Sequence, residues 1–209
     1  MRQFDVIVTY RQDADIWAPY FGPWILRELA RPPRPKTERA PAVYFASNPR
    51  DRSGRTAYVR ELMRFLRVDS FGACLRNRRL GQDMGRATRL ATIARYRFTL
   101  AFENSITRDY VTEKFFDPLI AGSVPVYLGA PNVAVFAPGE HCYIDVADFA
   151  GPRHLAEYLA SLGRQEAHYQ AYLRWKHQPL RPGFLAMVER QRHRPLCRLC
   201  MLLADGQPA

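Results

Sequence analysis

From residue 40 onward, short β-branched and aromatic runs alternate with longer stretches of helical periodicity. This alternation restricts the fold more than any other feature of the chain. Residues 43–46, 68–72, 97–102, 124–128 and 142–146 read as strands, and 56–66, 112–121, 152–162 and 166–176 as helices. Tyr58, Leu62, Phe65 and Leu66 share one stripe of the first helix. Strand–helix–strand units cross over in one hand, so this order predicts an α/β fold: a mostly parallel sheet with helices on both faces. Sheets of this kind take their ligands beyond the carboxyl ends of the strands.

The first forty residues break the pattern. An apolar run at 4–10 predicts a strand, and a polar turn leads to an aromatic cluster at Trp17, Tyr20 and Trp24. Arg31-Pro32-Pro33-Arg34-Pro35-Lys36 then reads as an extended linker, because proline fixes φ and removes a backbone donor. The expected division is an N-terminal segment with linker at 1–38, the sheet domain at 39–178, and a helical tail carrying Cys197-Arg198-Leu199-Cys200 at 179–209.

Hydrophobic residues make up 47% of the 209, which excludes a disordered tail, a collagen-like rod or a disulfide-dense miniprotein. Lys and Arg outnumber Asp and Glu by 31 to 20, for a formal charge of +11. Only Lys36, Lys114 and Lys176 are lysines, and the arginines are scattered along the chain. A basic nucleic-acid-binding domain is therefore the runner-up class, without zinc-finger spacing, RNA-binding aromatics or a zipper heptad to support it. The uncharged stretch 118–139 is interrupted by Pro118, Pro125, Pro131 and Pro138 and does not read as a membrane helix, and residues 1–5 do not read as an apolar leader, so the chain as written is expected to be soluble. Cys74, Cys142, Cys197 and Cys200 lack zinc-ligand spacing; structural disulfides, in an oxidising compartment, are the expected role, with three connectivities open.

Polar residues concentrate after two of the strands. In Phe102-Glu103-Asn104-Ser105, followed by Asp109-Tyr110-Val111-Thr112-Glu113-Lys114, the chain leaves a strand, crosses a loop and enters a helix. Thr112 suits an N-cap, and the helix start behind it offers unpaired N–H groups to a diphosphate, with Lys114 adding a positive charge. The same segment also reads as an ordinary capped helix with a surface Glu–Lys pair. A second cluster, Ser47 to Arg55, precedes the helix predicted after the 43–46 strand. Arg55 opposes the helix dipole there unless an anion lies beside it; the competing reading is a solvated basic loop. Asp13 and Asp15 form a DxD, a weak signal for a metal–nucleotide site.

These residues carry a resemblance. The segment from Phe102 to Lys114, continued by Ala121-Gly122-Ser123-Val124-Pro125-Val126-Tyr127-Leu128-Gly129, resembles the donor-binding signature of the α-1,3-fucosyltransferases, glycosyltransferase family 10. Ser47-Asn48 with Arg55, Val68-Asp69-Ser70-Phe71-Gly72 and Thr9-Tyr10-Arg11-Gln12-Asp13-Ala14-Asp15 extend the likeness over nearly the whole chain. The tail, with Arg174-Trp175-Lys176-His177 and the CxxC, is similar to plant-type enzymes acting on the N-glycan core.

The resemblance implies the Rossmann-like C-terminal domain of a GT-B type glycosyltransferase that binds GDP-fucose. Ser47 and Asn48 would face the nucleotide, Arg55 and Lys114 would hold the diphosphate, and Asn104, Tyr110 and Glu113 would complete the donor site. It implies transfer of L-fucose, with inversion, to a GlcNAc hydroxyl of a glycoprotein glycan. It implies no required cofactor, no metal held by Asp13 and Asp15, and a divalent cation as a stimulant at most. The glutamate serving as general base is expected upstream of Met1, so no catalytic residue is assigned, and the chain is expected to be partial or truncated. A non-catalytic nucleotide-sugar-binding module is the alternative. A full-length eukaryotic form would reside in the Golgi lumen as a type II membrane protein, through an anchor outside this chain.

Overall fold

The computed structural model of the chain describes residues 6–204. A two-residue strand β1 (Val8–Thr9) pairs in parallel with β2 (Ile16–Trp17), and α1 (Trp24–Leu29) follows. Phe4 and Asp5 of the expected first strand lie outside the described residues. The ladder is short because this segment is held by side chains as much as by pairing: the indole of Trp17 is buried and donates to the Tyr10 carbonyl at 2.8 Å.

The main sheet then builds up as β3 (Ala42–Tyr44), α2 (Arg55–Leu62), β4 (Val68–Ser70), α3 (Arg86–Ile93), β5 (Phe98–Phe102), α4 (Glu113–Ala121) and β6 (Val124–Leu128). It is completed by α5 (Val133–Phe136), β7 (Ile144–Asp145), α6 (Pro152–Leu162) and α7 (Glu166–Ala171). All five strands are parallel, in the order β4-β3-β5-β6-β7, with Tyr44 in register with Ser70 and Leu100, and Val126 with Leu100 and Ile144. Every residue of β5 is buried, as a central parallel strand covered on both faces requires. The expected α/β architecture is therefore the one observed.

On one face α2 packs on α6, joining Val59, Leu62, Leu155 and Leu159 to Tyr44, Phe98 and Phe102. On the other, α4 packs against α1 and α3, and its Phe115, Phe116 and Leu119 share a core with Phe21, Ile25 and Leu29. Phe184, Met187 and Val188 of α8 (Pro182–Glu189) join that second core. Both flanking segments are thus seated on the sheet domain. A last helix, α9 (Pro195–Ala204), buries none of its residues.

The proline run is a seated strap, not a free linker. Gly122 ends α4 at φ +72°, and a Cβ there would come within 2.7 Å of Pro33. Lys36 donates to the carbonyls of Ala94 (2.9 Å) and Gly122 (2.6 Å), the C-caps of α3 and α4, where a cation meets two negative helix ends. Lys176 does the same for Leu29 (2.9 Å) and Arg31 (3.1 Å) after α1. Burial pushes both ammonium groups down to about 8. Between that value and the unfolded lysine range the unfolded chain binds more protons, so stability rises with pH across the window. Denaturant unfolding is expected to show a gain on the order of 2 kcal/mol per lysine between pH 7.5 and 9.5, so that Lys36→Met keeps about half of the wild-type gain.

The four cysteines are free thiols, which corrects the disulfide expectation. Cys74 belongs to the α2–α6 core and Cys142 to the α4–α8 core, so the sheet separates them. Cys197 and Cys200 are exposed on α9. Among the described residues no helix is long and apolar enough to cross a membrane.

Candidate functional site

The chain leaves β3 toward β4 on one side and returns to β5 on the other. The loops after β3 and β5 therefore diverge at the switch point of the sheet, where open parallel sheets bind ligands. A cleft of about 380 Å³ lies there. Its lining includes Ser47, Asn48, Arg55, Asn104, Glu113 and Lys114, six of the seven residues proposed from sequence. The seventh, Tyr110, is not among the lining residues. Its ring packs edge-on against Tyr10 (5.1 Å) and Tyr20 (5.8 Å), and Gln12 grips the preceding Asp109 through its backbone N–H (3.2 Å) and side-chain amide (2.7 Å). Asp109 sits at φ +65°, a left-handed geometry that aspartate tolerates.

Hydrogen bonds lace the two loops together. The Arg52 N–H donates to the Asn104 carbonyl (2.8 Å), and Ser53 Oγ to that of Glu103 (2.6 Å). Arg55 opens α2 behind Gly54, whose φ of +73° turns the chain into the helix. Its guanidinium is only 1% exposed and donates to the carbonyls of Phe102 (3.0 Å) and Asn48 (3.1 Å). No carboxylate pairs with it among the described residues, and its Nε has no partner. Asn104 Oδ1 is likewise buried and unpartnered. An unpaired cation and an orphaned carbonyl oxygen lining one cleft match an incoming anion with hydrogen-bonding groups of its own.

Across the cleft stands the first turn of α4. Thr112 caps it, accepting from the Lys114 N–H at 3.3 Å. Glu103, fully buried, accepts from the Thr112 N–H (2.7 Å) and hydroxyl (2.8 Å) and lies 3.4 Å from the Lys114 ammonium. Burial raises Glu103 above the usual carboxylate range against the pull of Lys114. Burial also pushes Glu113 up, but Lys114, 3.1 Å away, and Arg89 outweigh it and leave this carboxyl below its ordinary value.

The sequence offers Glu103 only as part of a motif and does not single out Arg86 and Arg89, which line the cleft beside the first turn of α4. Both belong to α3 (Arg86–Ile93), which starts behind a glycine, without a side-chain cap or an acidic residue in its first turn. Asp13 and Asp15 are taken up locally, by Arg11 and by the Ile7 N–H (2.8 Å). Elsewhere arginines pair with scattered acids, singly as Arg64 with Glu61 and Arg97 with Glu166, or shared as Arg78 is between Glu38 and Asp69.

The cleft wall tolerates no side chain at Gly72, because a Cβ there would lie 2.0 Å from the Ala46 carbonyl oxygen, a backbone atom. Gly72→Ala is expected to cost about 3 kcal/mol in denaturant unfolding and to shift the 45–48 loop, since overpacked backbone must move.

An all-parallel sheet with helices on both faces and a cleft at its switch point is the arrangement of a Rossmann-like α/β domain. Residues 34–208 match "Glycosyltransferase family 10 (fucosyltransferase) C-term", and the chain belongs to this family. A fucosyltransferase-like protein of Arabidopsis thaliana is 37% identical over 204 residues, 97% of this chain and 39% of that protein. GDP-fucose protein O-fucosyltransferase 3 of Canis lupus familiaris is 45% identical over 143 residues, 66% of this chain and 30% of the relative. The crystal structure of an α1,3-fucosyltransferase with GDP-fucose aligns at a TM-score of 0.55 and 28% identity, over 65% of this chain and 38% of that one. The chain thus spans less than two fifths of the length of these relatives.

Proposed function

We propose that this chain is the GDP-fucose-binding part of a fucosyltransferase, with residues 39–178 forming the donor domain. The observation that carries the reading is the convergence of Arg55, Asn104 and Lys114 on the switch-point cleft, with a buried guanidinium that lacks an acidic partner among the described residues. In the reaction the acceptor oxygen attacks the anomeric carbon of fucose from the face opposite GDP. The bond to the phosphate oxygen breaks, and its electron pair leaves with GDP. Arg55 and Lys114 stabilise the charge that develops on that leaving group. Ser47 and Asn48 face the nucleotide, Glu113 orders the sugar side, and Tyr110 braces the loop from its aromatic cluster. The base that takes the acceptor proton is assigned to no residue of the chain.

The acceptor is a hydroxyl, and two forms of it are distinguishable. One is the α-1,3 position of GlcNAc on a glycoprotein glycan, supported by the solved α1,3-fucosyltransferases. The other is a protein side-chain hydroxyl, in line with the names of the O-fucosyltransferase relatives. No required metal or cofactor enters this reading. For the complete protein, the reading places transfer in the Golgi lumen with a type II membrane anchor.

Thermal unfolding with added ligand tests the donor assignment. GDP and GDP-fucose at a hundredfold excess over Kd should stabilise the chain by ~2.7 kcal/mol, a shift of several degrees, as any ligand specific to the folded state must. Equal melting curves with and without GDP would refute the assignment.

A further inference from the structure

The cations lining the cleft differ in what they have left to give. Arg55 spends its terminal nitrogens on the carbonyls of Phe102 and Asn48. Lys114 donates to Thr112 Oγ1 (3.0 Å) and Glu113 Oε1 (3.1 Å) and lies at ion-pair distance from Glu103 Oε2 (3.4 Å), which leaves one of its three protons for a ligand. Arg86 is consumed by Asp117 through Nε (3.0 Å) and by Glu28 through Nη1 (3.3 Å) and Nη2 (2.8 Å). Arg89 is held by a carboxylate along one side only. Its Nε (2.9 Å) and Nη2 (2.6 Å) both donate to Oδ2 of Asp117, a carboxylate whose side chain is 2% exposed. Its Nη1 has no partner among the described residues, and the side chain lines the cleft beside Glu113 and Lys114.

A guanidinium fixed along one edge and open along the other is a pre-oriented phosphate donor, because the anchoring carboxylate removes the rotamer freedom that binding would otherwise have to quench. We propose that Arg89 contacts the diphosphate of the donor nucleotide directly through Nη1, as a third cationic contact besides Arg55 and Lys114. This rests on the donor reading above and goes beyond it in assigning a contact to α3. It also accounts for the two arginines of α3 competing for one buried aspartate: Arg86 completes the charge balance with Glu28 and leaves Arg89 free to serve the cleft.

The test uses the whole chain and three probes: inorganic pyrophosphate, GDP and GMP, titrated calorimetrically into wild type, Arg89→Met and Arg89→Lys. A charge-assisted contact of this kind is worth about tenfold to a hundredfold in affinity. Arg89→Met should lose that factor for pyrophosphate and GDP and lose less for GMP, so that the preference for GDP over GMP shrinks. Arg89→Lys should recover part of it. If Arg89 merely clamps α3 to α4, the methionine variant will melt earlier while its GDP-to-GMP ratio stays at the wild-type value, which overturns the proposal. Wild-type chain that binds pyrophosphate through Arg89 but shows no added affinity for GDP would overturn the donor reading and leave this contact standing. Wild type that binds neither overturns both.

Discussion

Arg55→Met is expected to abolish measurable GDP binding, a loss of at least about a hundredfold, while the chain remains folded. Two terms of opposite sign set the stability change. The variant loses two charge-assisted hydrogen bonds to the carbonyls of Phe102 and Asn48, worth about 1.5–3 kcal/mol each. It also removes a residue that is 1% exposed, has no acidic partner among the described residues and leaves Nε unsatisfied, a burial that costs several kcal/mol. Near-cancellation leaves a shift of a few degrees in Tm, against a complete loss of binding. A residue kept at an energetic cost to the fold is the mark of a binding group. Retained GDP affinity together with a collapsed Tm would instead make Arg55 a rivet between the two loops.

Lys114→Met is expected to lower GDP affinity by about a hundredfold and also to destabilise the fold, because two functions meet in one ammonium. Lys114 is the only cation within ion-pair distance of the fully buried Glu103 among the described residues. Without it, the already raised Glu103 moves further up. A carboxyl whose folded value lies above its unfolded one binds protons that the unfolded chain has released. Stability is therefore lost as pH rises through that window and regained on acidification. Adding Glu103→Gln to the lysine variant should restore neutral-pH stability, since the amide oxygen can still accept from the Thr112 N–H while its NH2 donates to the Thr112 hydroxyl. It should not restore GDP binding. Denaturant melts at pH 5 and 7.5, beside the titration, separate the two roles. Recovery of binding along with stability would show that Lys114 acts only by holding the loop.

The parts of the fold legible in the sequence are those that local patterning controls. β6 and α6 fall on the expected residues because Gly122 and Gly129 bracket one, and Pro152 at the first helical position opens the other. α2 ends at Leu62, short of the expected residue 66, and the 166–176 helix breaks into α7 and a 3-10 turn at Arg174–His177. The strap at 31–36 was legible as extended backbone but not as packed, because its anchors, Pro33 on Gly122 and Lys36 on two helix ends, are distant in sequence. In the cleft, the residues following β3 and β5 could be named from their position at strand ends. α3 could not: Gly85 precedes it, no acidic residue stands in its first turn, and only Thr92 and Ile93 are buried. Arg86 and Arg89 therefore looked like members of a scattered basic surplus. What gives them a role is Asp117, twenty-eight residues beyond Arg89, which only the folded α3–α4 contact brings to them.

The central claim is a guanine-nucleotide donor site at the β3–β5 switch point, and calorimetric titration of the folded chain with GDP, GDP-fucose and ADP at physiological salt tests it most directly. GDP and GDP-fucose should bind one to one, ADP at least about tenfold more weakly, with GDP affinity falling about a hundredfold in Lys114→Met. Equal affinity for GDP and ADP, or wild-type GDP affinity kept in Lys114→Met, would contradict it.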